Sequence, residues 1–130
     1  MHSISALVLF SATLVSLCAA KTRCVKAIGR LECQKDKTKI GNVYIRMMDY
    51  DAFFWEQNDT MGISWSDPKT GVFEISGCGY DFGPWNEPDP FLEITHECNT
   101  QYGEKTITVG IWPVFQPEIT NVGTILLDEY

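Results

Sequence analysis

After residue 20 the chain shows no helical period over eleven residues; short runs alternate apolar and polar side chains instead, each closed by Gly, Pro, Asn or Asp. That pattern confines the chain to β structure. The runs are Val25 to Cys33, Val43 to Met48, Met61 to Trp65, Val72 to Ser76, Phe91 to Cys98, Lys105 to Trp112 and Val122 to Leu127. Phe73 and Ile75 are expected to point inward, with Glu74 outward. Asp67-Pro68-Lys69-Thr70-Gly71 reads as a turn, with Pro to set φ and Gly to allow a positive one. Residues 77–90 hold three glycines and three prolines, and no regular structure is expected there. Runs of this length and spacing predict an all-β fold, a seven- to eight-stranded two-sheet antiparallel sandwich. A chain of 130 residues is long enough for one such domain.

Residues 1–20 read as a secretory signal peptide, apolar from Ile4 to Leu17, with small Cys18 and Ala20 before the cut. The apolar run is too short for a transmembrane anchor, and Leu17 is too large for a lipoprotein site at Cys18. The domain is therefore expected at 21–130, secreted and extracellular, in an oxidising compartment. Four cysteines remain there: Cys24, Cys33, Cys78 and Cys98. An even count predicts two disulfides, with three connectivities open. The spacings lack the close pairs of a zinc site, so no metal is expected on them and no cofactor anywhere. Asn58-Asp59-Thr60 is a glycosylation sequon that export would make usable, giving a glycoprotein.

The net charge is −7, and a duplex nucleic acid needs a basic face, so no nucleic-acid partner is expected. The charge is unevenly spread. Residues 21–39 hold seven cations and two anions, while 40–130 hold three cations and fifteen anions. Lys26, Arg30, Lys35, Lys37 and Lys39 are thus candidate binding residues for anionic lipid heads or an acidic partner; a solvated surface is the plainer reading. Asp49, Asp51, Glu56 and Asp59 crowd one segment, but without the spacing of a calcium loop they read as an ordinary acidic loop.

Several segments together resemble the nematode transthyretin-like family of small secreted proteins. They are Gly29-Arg30-Leu31-Glu32-Cys33, Gly71-Val72-Phe73-Glu74-Ile75-Ser76-Gly77, Pro90-Phe91-Leu92-Glu93-Ile94-Thr95-His96-Glu97-Cys98-Asn99 and Val122-Gly123-Thr124-Ile125-Leu126-Leu127. The His-x-Cys-Asn piece is the most specific; Cys24 and Cys78 look additional to the family's usual cysteines. The resemblance implies a transthyretin-like (prealbumin-like) sandwich with strands D-A-G-H in one sheet and C-B-E-F in the other. That topology implies the pairs Cys24–Cys78 and Cys33–Cys98. It also puts Phe53, Phe54 and Trp55 in the B–C connection, Trp85 in the D–E loop, and Trp112 and Phe115 after strand F. Loop aromatics are candidate binding residues, or cover the ends of the sandwich.

The enzyme relative on this fold, a hydroxyisourate hydrolase, uses two histidines, an arginine and a Tyr-Arg-Gly-Ser tail. After residue 20 this chain has one histidine, His96, and it ends Leu127-Asp128-Glu129-Tyr130. No enzyme activity is expected. His96 shares phase with Leu92 and Ile94 and reads as a structural histidine near the sheet end; a pH sensor, or a metal ligand or base, is the alternative. What remains is a secreted, non-enzymatic binding or adaptor protein, recognising a lipid or an extracellular protein partner and not an integral membrane protein. The alternative is a carrier of a small hydrophobic ligand.

Overall fold

The computed structural model describes residues 21–50, 58–81, 89–111 and 119–130. Among them the chain forms seven strands: β1 (Lys21–Glu32), β2 (Tyr44–Asp49), β3 (Asp59–Trp65), β4 (Val72–Asp81), β5 (Pro90–His96), β6 (Lys105–Gly110) and β7 (Thr120–Leu126). Short 3-10 turns occupy Lys37–Ile40 and Leu127–Glu129. One sheet has the order β4-β1-β7 and the other β3-β2-β5-β6. The fold is an all-β sandwich of seven strands, and the larger sheet follows the C-B-E-F order that the resemblance implies. No helix among the described residues is long and apolar enough to cross a membrane.

The alternation read from the sequence is what fills the space between the sheets. β5 alternates strictly between buried and half-buried positions, with Leu92, Ile94 and His96 turned inward. Ile45 and Met47 meet them from β2, Ala27 and Leu31 from β1, and Phe73 and Ile75 from β4. Full burial of each large side chain contributes roughly 1.5–3 kcal/mol.

Three expectations need correction. β4 does not stop at Ser76; it runs on through Gly77, Cys78 and Gly79, which pair with Val25, Cys24 and Arg23 of a longer β1. Glycine is needed there because β3 crosses close by: a Cβ on Gly77 would lie 2.6 Å from the Met61 carbonyl carbon, and one on Gly62 2.1 Å from the Ser76 oxygen. The smaller sheet shows three strands among the described residues where the resemblance implies four. Its β7 takes the place beside β1 and lies parallel to it, so the sandwich is not wholly antiparallel. Finally, Met61, Ile63 and Trp65 do not share an environment. The register slips between Met47 and Met48, so Met61 packs against the core, while Ile63 and Trp65 stand exposed on the outer face.

Disulfides join Cys24 to Cys78 and Cys33 to Cys98. The first links two directly opposed residues of one sheet, with Cα atoms 4.0 Å apart. The second links the two sheets at the ends of β1 and β5, with Cα atoms 5.9 Å apart.

Candidate functional site

Three turns meet at the end of the sandwich where β1 finishes. Because β4 is antiparallel to β1, with Arg30 opposite Val72, the turn that precedes β4 must lie beside the turn that follows β1. Leu31 N–H donates to the Gly71 carbonyl at 2.9 Å and Arg30 Nε donates to the Thr70 carbonyl at 3.2 Å, which closes the seam. Gly71 has φ +71°, and a Cβ there would lie 2.5 Å from the Leu31 oxygen, so only glycine fits both the backbone and the space.

An aspartate shapes each turn. Asp67 Oδ1 accepts from the backbone N–H of Lys69 and Thr70, and from the Thr70 hydroxyl. Asp36 Oδ1 caps the 3-10 turn, accepting from the Thr38 hydroxyl at 2.6 Å and its backbone N–H at 3.0 Å. Asp128, on the turn after β7, accepts from the N–H of Gln34 at 2.6 Å and of Lys35 at 2.9 Å. The donors hold all three carboxyls below the ordinary 3.8: the Thr38 hydroxyl first for Asp36, and the backbone N–H of Thr70 and of Gln34 first for Asp67 and Asp128. Ser66, buried, donates to the Ile40 carbonyl and accepts from Val43 N–H, tying the 3-10 turn to the end of β3.

The end of β1, the turn that follows it and the turn before β4 enclose a cleft of about 370 Å³ lined by Arg30, Leu31, Glu32, Cys33, Gln34 and Lys37, with Ile40, Lys69 and Thr70 completing it. Its lining carries three cations and one anion on a partly apolar floor. Such a lining suits a ligand with an anionic group and a short apolar neighbour.

The structure brings together only some of the expected residues. Arg30 and Lys37 line the cleft. Lys26 stands on the outer face of β1, 2.6 Å from Glu74. Lys39 pairs with Glu97 at 3.1 Å. Lys35 is exposed and does not line the cleft; its backbone N–H is held by Asp128. Phe53, Phe54, Trp55, Trp85, Trp112 and Phe115 lie outside the described residues, as do Asp51, Glu56 and residues 1–20. Asn58 is exposed just before β3. Asp49 is buried and accepts from the Asp89 backbone N–H at 2.8 Å, which makes it a structural carboxylate rather than part of an open cluster.

Lys69 and Thr70 were missed by sequence reasoning, which took their segment only as a turn. The signal lay in topology: strand D beside strand A brings the C–D turn to the A–B end. Trp65 was also missed; it is 58% exposed, with its ring centroid 5.5 Å from that of Tyr44.

His96 is buried. Its Nδ1 accepts from Cys98 N–H at 3.0 Å, and its Nε2 has no hydrogen-bond partner among the described residues. Among the described residues neither nitrogen is bonded to a serine or a carboxylate, the partners a relay to a nucleophile would use.

No curated protein sequence matches this chain. Among solved structures, a 9R-lipoxygenase from Cyanothece PCC8801 is similar at 15% identity and a TM-score of 0.46; the match covers 92% of this chain and 20% of that one. The model of the transthyretin-like family, TTR-52, matches residues 28–111, from the middle of β1 to just past β6. A match over more than half of the 130 residues, together with the β3-β2-β5-β6 sheet inside it, settles the kinship: the chain belongs to the transthyretin-like family.

Proposed function

We propose that this protein is an exported, non-catalytic binding or adaptor protein that recognises an anionic group, in the first place a lipid headgroup at a cell surface, through the cleft of Arg30, Lys37 and Lys69. One observation carries the reading: three cations, Arg30 from the end of β1, Lys37 from the 3-10 turn and Lys69 from the turn before β4, converge on one concavity of a chain whose net charge is −7. The turns are already braced by Asp36, Asp67 and Asp128, so a ligand would meet a formed site rather than order a loose one. Residues 1–20 are read as the cleaved leader, which makes Lys21 the first residue of the mature protein, and Asn58 as a glycan acceptor.

Co-sedimentation with vesicles of neutral lipid, and of the same lipid with an anionic component, tests this. Binding to the anionic vesicles alone is expected, falling as salt is raised. Each cation near an anionic surface contributes about 1 kcal/mol, so Arg30→Ala, Lys37→Ala and Lys69→Ala together should weaken binding by roughly 100-fold. Equal binding to both vesicle types, or none, would remove the lipid version. A carrier of a small hydrophobic ligand is the weaker reading, since Leu31, Ile45, Phe73, Leu92 and Ile94 occupy the space between the sheets.

A further inference from the structure

The two cystines sit in opposite environments. Cys33 and Cys98 are 3% and 1% exposed, inside the core cluster. Cys24 and Cys78 are both exposed. Strand phase is the cause. Val25 and Ala27 point inward on β1, and Phe73, Ile75 and Gly77 are buried on β4, so the alternating positions Cys24 and Cys78 face out. Their sulfurs form a bridge on the outer surface of the smaller sheet.

Nor does the sheet rest on that bridge in the folded molecule. The β1–β4 ladder runs through ten residue pairs, from Lys21 with Asp81 to Arg30 with Val72, and so flanks the bridge on both sides. Gly77, one residue away, keeps its close approach to Met61 regardless of the sulfurs. Lys26, two residues along the same face, is engaged by Glu74 at 2.6 Å, so accessibility rather than a nearby free charge distinguishes this cystine. Thiol–disulfide exchange requires a thiolate to reach one sulfur along the line of the S–S bond, which an exposed bridge permits and a core bridge forbids.

We propose that Cys24–Cys78 is a thiol-exchange site, open to small or protein thiols, while Cys33–Cys98 is inert. In the first step a thiolate forms a bond to one sulfur, the Cys24–Cys78 bond breaks, and the departing sulfur takes up a proton. The product is a mixed disulfide on the outer face. A second thiol attacks that mixed disulfide, releasing the oxidised thiol dimer and leaving both cysteines reduced. Across the two steps, one cystine and two thiols become two cysteines and one new disulfide, with two electrons passed to the protein. A partner protein's thiol that stops at the first step is joined covalently to β1 or β4.

The test uses the intact secreted protein under non-denaturing conditions. It is exposed to reduced glutathione in one arm and to a cysteine-bearing peptide in the other, then alkylated and mapped by mass spectrometry. Adducts or alkylation at Cys24 and Cys78 are expected at least about ten times faster than at Cys33 and Cys98, with the β-sheet circular dichroism unchanged. Reaction in only the glutathione arm limits the site to small thiols; reaction in both supports it for protein partners too. No adduct in either arm overturns the proposal, as does simultaneous opening of both cystines with loss of the β signal. The variant carrying Cys24→Ser with Cys78→Ser should keep its fold and form no adduct.

Discussion

His96 is governed by one backbone amide. Since its Nδ1 accepts from Cys98 N–H, the proton of the neutral ring sits on Nε2. Adding a second proton would set a donor against that amide, inside the core. Burial, and then the Lys105 ammonium, push its pKa below the ordinary 6.5, against a weaker opposite pull from Asp128. A lowered histidine pKa means that the unfolded chain takes up the proton first. The stability contribution is therefore complete above 6.5 and declines as pH falls below it toward the folded value. Urea midpoints measured at pH 7.5 and 5.5 should fall on acidification. With His96→Asn, whose side-chain oxygen can accept from the same amide, the drop across that window should shrink; an unchanged drop would assign it elsewhere. A second acid effect lies lower. Asp36, Asp67 and Asp128 hold the cleft turns as carboxylates, so their support is present above 3.8 and lost as pH falls through their lowered values. Amide exchange of Thr38, Thr70 and Lys35 should accelerate there before the core strands do.

At the scale of elements, the side of the sandwich where β3 meets β4 depends on two glycines. Gly62→Ala would drive a Cβ into the Ser76 carbonyl, and a cost of about 1–3 kcal/mol is expected in chemical denaturation. Gly110→Ala, with open space around its Cβ, serves as the near-neutral comparison. This same region marks where the sequence was readable and where it was not. Phe73, Ile75, Leu92 and Ile94 could be placed inward from alternation alone, since a two-residue period leaves little choice of face. The extension of β4 through Gly77, Cys78 and Gly79 could not, because glycine and a following proline-rich stretch are also the marks of a loop. Their role becomes visible only from the partner strand that crosses them. The cleft was half legible for a similar reason. Arg30 and Lys37 stood out in a basic segment, whereas Lys69 belongs to a turn whose neighbours are set by strand order.

On the scale of the whole molecule, the two cystines close loops of similar length, with separations of 54 and 65 residues, so chain entropy alone favours neither. Position should separate them. Replacing Cys33 and Cys98 together by serine removes the link between sheets and buries two hydroxyls, and a loss of about 2–5 kcal/mol is expected, read as a fall in Tm. The same change at Cys24 and Cys78 should cost less, because the new hydroxyls stay hydrated on the outer face.

One further consequence follows from the parallel contact of β1 and β7, the first and last strands of the described chain. Ala27 pairs with Thr120, so this edge of the smaller sheet forms only after all the intervening strands have been made. Pairings this distant along the chain raise contact order and slow folding. A chain leaving its ribosome amino end first would thus hold β1 with one flank uncovered until β7 had emerged. Refolding in vitro should show the β1–β7 amides protected last, after those between β2 and β5, and holding the chain dilute during that interval should suppress its aggregation.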